Sequence, residues 1–474
     1  MTSVLINIPD EYFTKAKYVF ELLSVEIGLP LKIFREGNLS DTFNIIYSSN
    51  PDYSGFSNSI FIPFDEELFS SQTECEFWKD GENYFWRSKK SRINDIIGSI
   101  YRLITFKDEQ QIHSSNLDRR GIFFCRHLPA ERQKFLEIPL VQHYSEYLIN
   151  HLLSLHPDIR NSLVSKWPNK RKFAIALTHD TDAVNIGAPT ELLSNLVKSI
   201  IRRNKIYFDT FTNGLRYINK PDQNPFYGFP GWKDWEKTMN IRSCFYLFIK
   251  SDTLKRDIND CKSSVQSEKI NWNVLKEMAK EGWEFGPHPA INAKLYTNEF
   301  VFTKKFLENR LEVEVHGLRH HYWALDWINP INTFRKHADA GFKYDSSIAW
   351  RDKAGFRAST CLPYRPFDES SDTRLNFYEL PTCLLDAHLM ERMDAATSDR
   401  AKAGIKIIEQ VKKVGGAAVI DWHTETASEK FFYTDYFKIL RTILSDDVIK
   451  DAWIATPTEI IKWYSDRETR ILIN

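Results

Sequence analysis

Beyond about residue 170, short apolar runs alternate with helix-like stretches. Phe173–Leu177, Ser243–Ile249, Trp283–Gly286, Val313–Leu318, Phe377–Leu380, Ala417–Asp421 and Trp453–Ala455 read as strands. Between them, Trp272–Glu281 reads as a helix closed by Gly282, and Thr333–Ala340 as one closed by Gly341, glycine being the usual residue just past a helix end. The last helix carries Thr456 at its cap, Pro457 first and Glu459 third, the pattern of a capping box. Strands alternating with helices imply parallel strands joined by crossovers. About 300 residues of this suit a distorted (β/α) barrel of the triosephosphate-isomerase type. An open doubly wound sheet is the competing fold, and no GxGxxG follows a strand to favour it.

Upstream the pattern is mixed. Glu11–Leu23 and Val141–Leu155 read as helices; Leu31–Phe34, Ser59–Ile62 and Ile122–Cys125 read as strands. The polar stretch Ser165–Lys172, with Pro168, is the best boundary. We therefore expect a separate α/β or α+β domain over 1–165, of unassigned role, followed by the barrel over 170–474. The upstream histidines, His113, His127, His143, His151 and His156, have no ligand spacing.

Composition narrows the function classes. Lys+Arg and Asp+Glu both number 63, so the formal charge is zero, which argues against a nucleic-acid binder. The 13 Trp and 14% aromatic content suit sugar faces as well as cores. Six scattered cysteines form no CxxC pair, so neither a zinc ribbon nor a disulfide framework is expected. No run of about 18 apolar residues predicts a membrane span, and the first twenty residues do not read as a signal peptide. The expected location is the cytoplasm, with peripheral membrane contact left open.

Chemistry collects where the strands end, which is where such barrels carry their sites. Phe173–Leu177 runs into Thr178-His-Asp-Thr-Asp182, and residues two apart in an extended chain face one way. Asp180 and Asp182 thus converge, and a cation on one would relieve their repulsion and free the other as a base; an Asp-rich turn is the plainer reading. His288, between Pro287 and Pro289, is held as a rigid imidazole, fit for a ligand or simply a loop histidine. Arg319-His-His-Tyr322 places one of two neighbouring histidines inward at most, and Arg319 is suited to hold a carboxylate ionised. Asp421-Trp-His423 adds a late proton donor.

Taken in order, these segments resemble the polysaccharide deacetylases of carbohydrate esterase family four, in particular the subgroup of bacterial surface-glycan clusters. Thr178–Asp182 resembles the motif T-H-D-x-D, Glu284–Asn292 resembles E-x-G-x-H-P-x-x-N, and Arg319–Tyr322 resembles R-x-H-Y. Gly341–Ser347, Gly355–Ala358, Leu380–Asp386 and Asp421–His423 complete seven blocks across about 170–465. The resemblance implies Asp180 as general base, Asp182 and His288 as metal ligands, Arg319 orienting the base and His423 as general acid. The family's usual second histidine is Asn292 here, a poor zinc ligand, so His321 is the expected third ligand. Arg357 and Tyr322 are the substrate-contact candidates. Asp345 or Asp386 is expected to tune His423, with Asn292 behind the ligands.

The expected activity is metal-dependent, most readily Zn²⁺-dependent, removal of an N-acetyl group from an acetamido sugar, nucleotide- or lipid-linked or within a glycan precursor. The alternatives are hydrolysis of a cyclic amide or ureide at the same site, or a catalytically silent glycan-binding module.

Overall fold

The computed structural model describes residues 2–35, 43–220, 223–255, 257, 260–261, 265, 270–391 and 393–473. The chain opens on a parallel sheet of β1 (Thr2–Asn7), β2 (Leu31–Phe34), β3 (Ile45–Ser48) and β4 (Ile60–Pro63), in the order β2-β1-β3-β4. The helix Asp10–Ile27 carries the chain from β1 to β2. An antiparallel hairpin follows, β5 (Cys75–Asp80) with β6 (Asn83–Ser88). Ile122–Cys125, expected as a strand, forms none. The Cys125 backbone N–H donates to Asp352 Oδ1 at 3.0 Å instead of to a neighbouring strand, and a short 3-10 turn begins there.

The downstream stretch is α/β with parallel sheets. β7 (Phe173–Thr181) is buried along its whole length, as expected of a strand covered on both faces. It is flanked by β8 (Cys244–Ile249) and, beyond that, by β9 (Glu284–Pro289). Two further pairs carry the chain on, β10 (Gly317–Leu318) with β11 (Tyr344–Asp345), and the antiparallel β12 (Phe367–Asp368) with β13 (Thr373–Arg374). The last strands are β14 (Tyr378–Glu379), β15 (Thr382–Leu385), β16 (Ala417–Asp421) and β17 (Ala452–Ile454). They form a parallel sheet in the order β15-β16-β7-β8-β9, with β17 also on β7, and a second parallel sheet β10-β11-β14.

Hydrogen bonds link the two sheets at both ends. Arg319 N donates to Pro287 O at 3.2 Å, and Thr382 N donates to Ile348 O at 3.0 Å. Glycines allow the first of these approaches. A Cβ on Gly286 would stand 2.5 Å from Gly317 O, and one on Gly317 would fall within the Tyr344 ring. Only the last two residues of the expected strand Val313–Leu318 pair, because Val315 N donates to the Glu308 side chain at 3.2 Å.

The closing helix Pro457–Leu472 has its capping box: Thr456 N donates to Glu459 Oε2 at 2.8 Å, and Glu459 N donates to Thr456 Oγ1 at 3.3 Å. One apolar cluster takes Ile97, Tyr144 and Leu148 from upstream and Phe245, Leu318 and Trp350 from downstream. Buried polar contacts cross with it, among them Gln142 Nε2 to Thr360 Oγ1 at 2.8 Å and Arg467 Nε to Val25 O at 2.9 Å.

Candidate active site

The ends of β7, β9, β10 and β16 converge on Asp182. His288 Nε2 stands 3.3 Å from Asp182 Oδ1 and 3.6 Å from Asp180 Oδ2, so one imidazole nitrogen reaches both carboxylates. His321 Nε2 lies 3.5 Å and His423 Nε2 3.7 Å from Asp182 Oδ2. Ligands about 2.1 Å from a tetrahedral ion stand about 3.4 Å apart, which is the scale of these separations. Asp182 Oδ1 is buried without a hydrogen-bond partner among the described residues. Burial opposes ionisation of Asp182, but His321, His288 and His423 outweigh it and hold the carboxyl well below its ordinary range.

The imidazoles are fixed from behind. His288 Nδ1 donates to Arg319 O at 2.7 Å, which turns Nε2 toward the two carboxylates. His321 Nδ1 lies 3.2 Å from Asp260 Oδ1, and Cys261 Sγ is 3.5 Å from His321 Nε2. Asp182, Cys261 and His321 together form a group able to hold an ion. Burial works against protonation of His321, yet Asp182 and Asp260 push its pKa up to about 9. Neither Asp260 nor Cys261 was anticipated. Both follow β8 in a stretch with no strand or helix period to flag them.

A second cluster stands beside the first. Arg319 is fully buried and spends its donors on Asp180 Oδ1 (3.1 Å), Thr178 Oγ1 (2.7 Å), Ser346 O (3.1 Å), Ser346 Oγ (3.1 Å) and Thr382 Oγ1 (3.0 Å). Asp421 Oδ1 sits 3.0 Å from the same guanidinium and accepts the Asp180 backbone N–H at 3.1 Å. Despite its burial, Arg319 is held above its ordinary pKa by Asp180 and Asp421, whereas burial and then Asp180 push the Asp421 carboxyl well up. Neither the strand Ala417–Asp421 nor the motif Asp421-Trp-His423 foretells the contact of Asp421 with Arg319, which depends on the pairing of β16 with β7.

His423 is held by Asp386, whose carboxylate takes the His423 backbone N–H at 2.8 Å and lies 3.0 Å from Nδ1. Burial disfavours the charged imidazole, but Asp386 and Asp182 raise its pKa well above the ordinary value. Of the two carboxylates expected near His423, Asp386 occupies that place. Asp345 does not: it accepts from Ser347 Oγ at 2.5 Å and lies 3.8 Å from His337.

A cavity of about 680 Å³ opens over Asp182, bordered by Cys261, His321, Tyr322, Glu425 and, from upstream, Arg120. That volume suits a small organic ligand. Glu425 was also unanticipated: it is 4% exposed, and its Oε2 is buried without a hydrogen-bond partner among the described residues. Tyr322 and Trp323 both have positive φ, 56° and 51°, a conformation that L-residues adopt only under constraint. The constraint is visible. The Tyr322 ring packs on His321 at 4.1 Å, with Arg120 at 4.1 Å and Arg351 at 4.6 Å from its centroid.

Comparisons with known proteins add the following. Residues 4–157 match a family model described as a family of unknown function, DUF7033. No curated protein sequence matches. Among solved structures, a candidate polysaccharide deacetylase from Mycobacterium smegmatis is 17% identical, over 64% of this chain and 93% of its own, with a TM-score of 0.42. PuuE allantoinase is 12% identical over 63% and 92%, with a TM-score of 0.41. The carbohydrate deacetylase Agd3 is 9% identical over 99% and 88%, with a TM-score of 0.35.

Two expected site residues lie elsewhere. Arg357 is 1% exposed, pairs with Glu109 at 3.1 Å and lies against the Trp327 ring, so it joins upstream and downstream segments. Asn292 donates to Lys255 O at 3.0 Å and lines a different cavity, with Ser251 and Glu299. His320, next to His321, turns away to meet His337 Nε2 at 2.9 Å.

Proposed function

We propose that this protein is a metal-dependent hydrolase that removes the N-acetyl group of an acetamido sugar. In this reading residues 1–165 and 170–474 are two units packed over a shared core, and the linked parallel sheets make one distorted (β/α) barrel. The carrying observation is Asp182: a half-buried carboxylate whose Oδ1 is inaccessible and without a hydrogen-bond partner among the described residues, faced by three imidazole nitrogens within 3.7 Å. His288 and His321 each present Nε2 to Asp182, at 3.3 and 3.5 Å, with their Nδ1 atoms engaged behind.

Asp182, His288 and His321 would hold the ion, with Cys261 beside it. Oxygen and nitrogen donors in this number suit Zn²⁺. Such an ion supplies a polarised acetyl carbonyl and an acidified water.

The chain's own groups do the proton work. Asp180, pinned at Oδ1 by Arg319, keeps Oδ2 beside the His288 imidazole and takes a proton from the attacking water. The water oxygen bonds to the acetyl carbon, and the carbon–nitrogen bond breaks. His423, steadied by Asp386, delivers a proton to the leaving nitrogen, so acetate and a free amine result. The aromatic wall at Tyr322 suits a sugar face.

The test is acetate release from acetamido sugars by the metal-loaded protein, followed by NMR. Acetate from the wild type and none from Asp180→Asn with metal retained is the expected outcome. Ring opening of a cyclic ureide without acetate release, or sugar binding without metal uptake, would overturn the proposal in favour of its alternatives.

A further inference from the structure

We propose that the helical pair Pro189–Arg202 and Lys205–Gly214, inserted between β7 and β8, docks on an anionic membrane surface. Among the described residues, seven of the fifteen exposed large hydrophobics fall within residues 193–218. They are Leu193, Val197, Ile200, Ile201, Phe208, Leu215 and Ile218, and Leu193, Ile200 and Ile201 are 63%, 69% and 74% exposed. At about 100° per residue, positions 193, 197, 200 and 201 fall in one stripe roughly 100° wide. A stripe of that kind facing water marks an interaction site.

Charge selects the partner. The chain as a whole is neutral, but this segment carries Lys198, Arg202, Arg203, Lys205, Arg216 and Lys220 against Glu191 and Asp209. Apolar residues bordered by cations match an anionic lipid surface, where side chains enter the acyl boundary and Lys and Arg meet the headgroups. A second copy of the chain would set this cationic segment against itself. The 14-residue first helix is about 21 Å long, too short to cross a bilayer core of about 30 Å. The geometry is therefore that of a helix lying on a surface.

The placement gives the docking a purpose. Lys198, Arg202 and Tyr207 also border the cavity above Asp182. A docked hairpin would hold the cavity mouth at headgroup level, where a lipid-linked sugar presents its ring. This last step rests on the proposed hydrolase activity; the docking itself does not.

The test is co-sedimentation of the full chain with phosphatidylcholine vesicles, with and without about 30% phosphatidylglycerol. We expect partitioning about tenfold or more stronger onto the anionic vesicles at low salt, reversed near about 0.5 M salt. The double variant Ile200→Glu/Ile201→Glu should lose it, and so should Arg203→Glu/Lys205→Glu, which keeps the apolar stripe. Asp182→Asn should bind as the wild type does. Absence of wild-type binding to anionic vesicles overturns the docking, as does a dimer in solution that the Ile200/Ile201 variant dissolves. Vesicle binding without acetate release sinks the hydrolase reading alone; acetate release from soluble sugars without vesicle binding sinks the docking alone.

Discussion

Arg319 places one nitrogen, Nη1, 3.1 Å from Asp180 Oδ1 and 3.0 Å from Asp421 Oδ1. One cation thus serves two carboxyl groups at the root of the site. Removing it leaves Asp180 buried without its cation. Arg319→Met should destabilise the fold by about 3–5 kcal/mol, the scale for breaking a buried ion pair, read from urea unfolding. A loss below about 1 kcal/mol would contradict this network.

Asp180 lends itself to a cleaner separation. Asp180→Asn keeps an oxygen for the Arg319 contact and removes the proton acceptor. Acetate release should fall by roughly 100-fold or more, with metal content unchanged. Equal turnover with equal metal would exclude Asp180 as the base.

Metal affinity should depend on a residue that touches no ion. Asp260 lies 3.2 Å from His321 Nδ1 and orients that ring. Asp260→Asn should weaken Zn²⁺ binding by about 10- to 100-fold, measured by competition with a chelating dye. Asp182→Asn should do more, and Asn292→Ala should do nothing.

Arg357 should behave as a joint in the fold. Arg357→Met strands Glu109 in the core and should cost about 3–5 kcal/mol of stability. A variant of full stability that only raises KM would restore Arg357 as a substrate contact.

Acid should weaken the fold through His337. Burial, and to a lesser extent Lys336, pushes this imidazole down to about 3, while in an unfolded chain it protonates near 6.5. Between those values the unfolded state binds more protons. Stability should be level above about pH 6.5 and fall as pH drops towards 3, by about 4 kcal/mol in all. Urea unfolding at several pH values measures this, and His337→Asn should flatten part of the slope.

The gathering of Asp180, Asp182 and His288 could be read in the chain because these residues sit where periodic strands stop. Phe173–Leu177 announced a strand, and Asp180 and Asp182 followed at a spacing that placed them on one side, where His288 Nε2 reaches both. Asp260 and Cys261 escaped notice because no regular element introduces them. Arg357 looked available because a short motif carries no information on burial; only the folded chain brings Glu109, 248 positions away, against it. The strand expected at Val313–Leu318 shrank to its last two residues because a side chain, Glu308, claimed an amide that the pattern had assigned to a ladder.

The turn at Asp118–Gly121 carries a consequence beyond its own geometry. Asp118 accepts the backbone N–H groups of Arg120 and Ile122, Lys294 grips the Arg120 carbonyl, and the Arg120 guanidinium lies over Tyr322. The upstream third of the chain therefore furnishes one lip of the cavity, while every proposed proton-transfer and ion-holding group comes from downstream. Substitution at Arg119 or Arg120 would reshape that lip without touching any group proposed to hold the ion or move a proton.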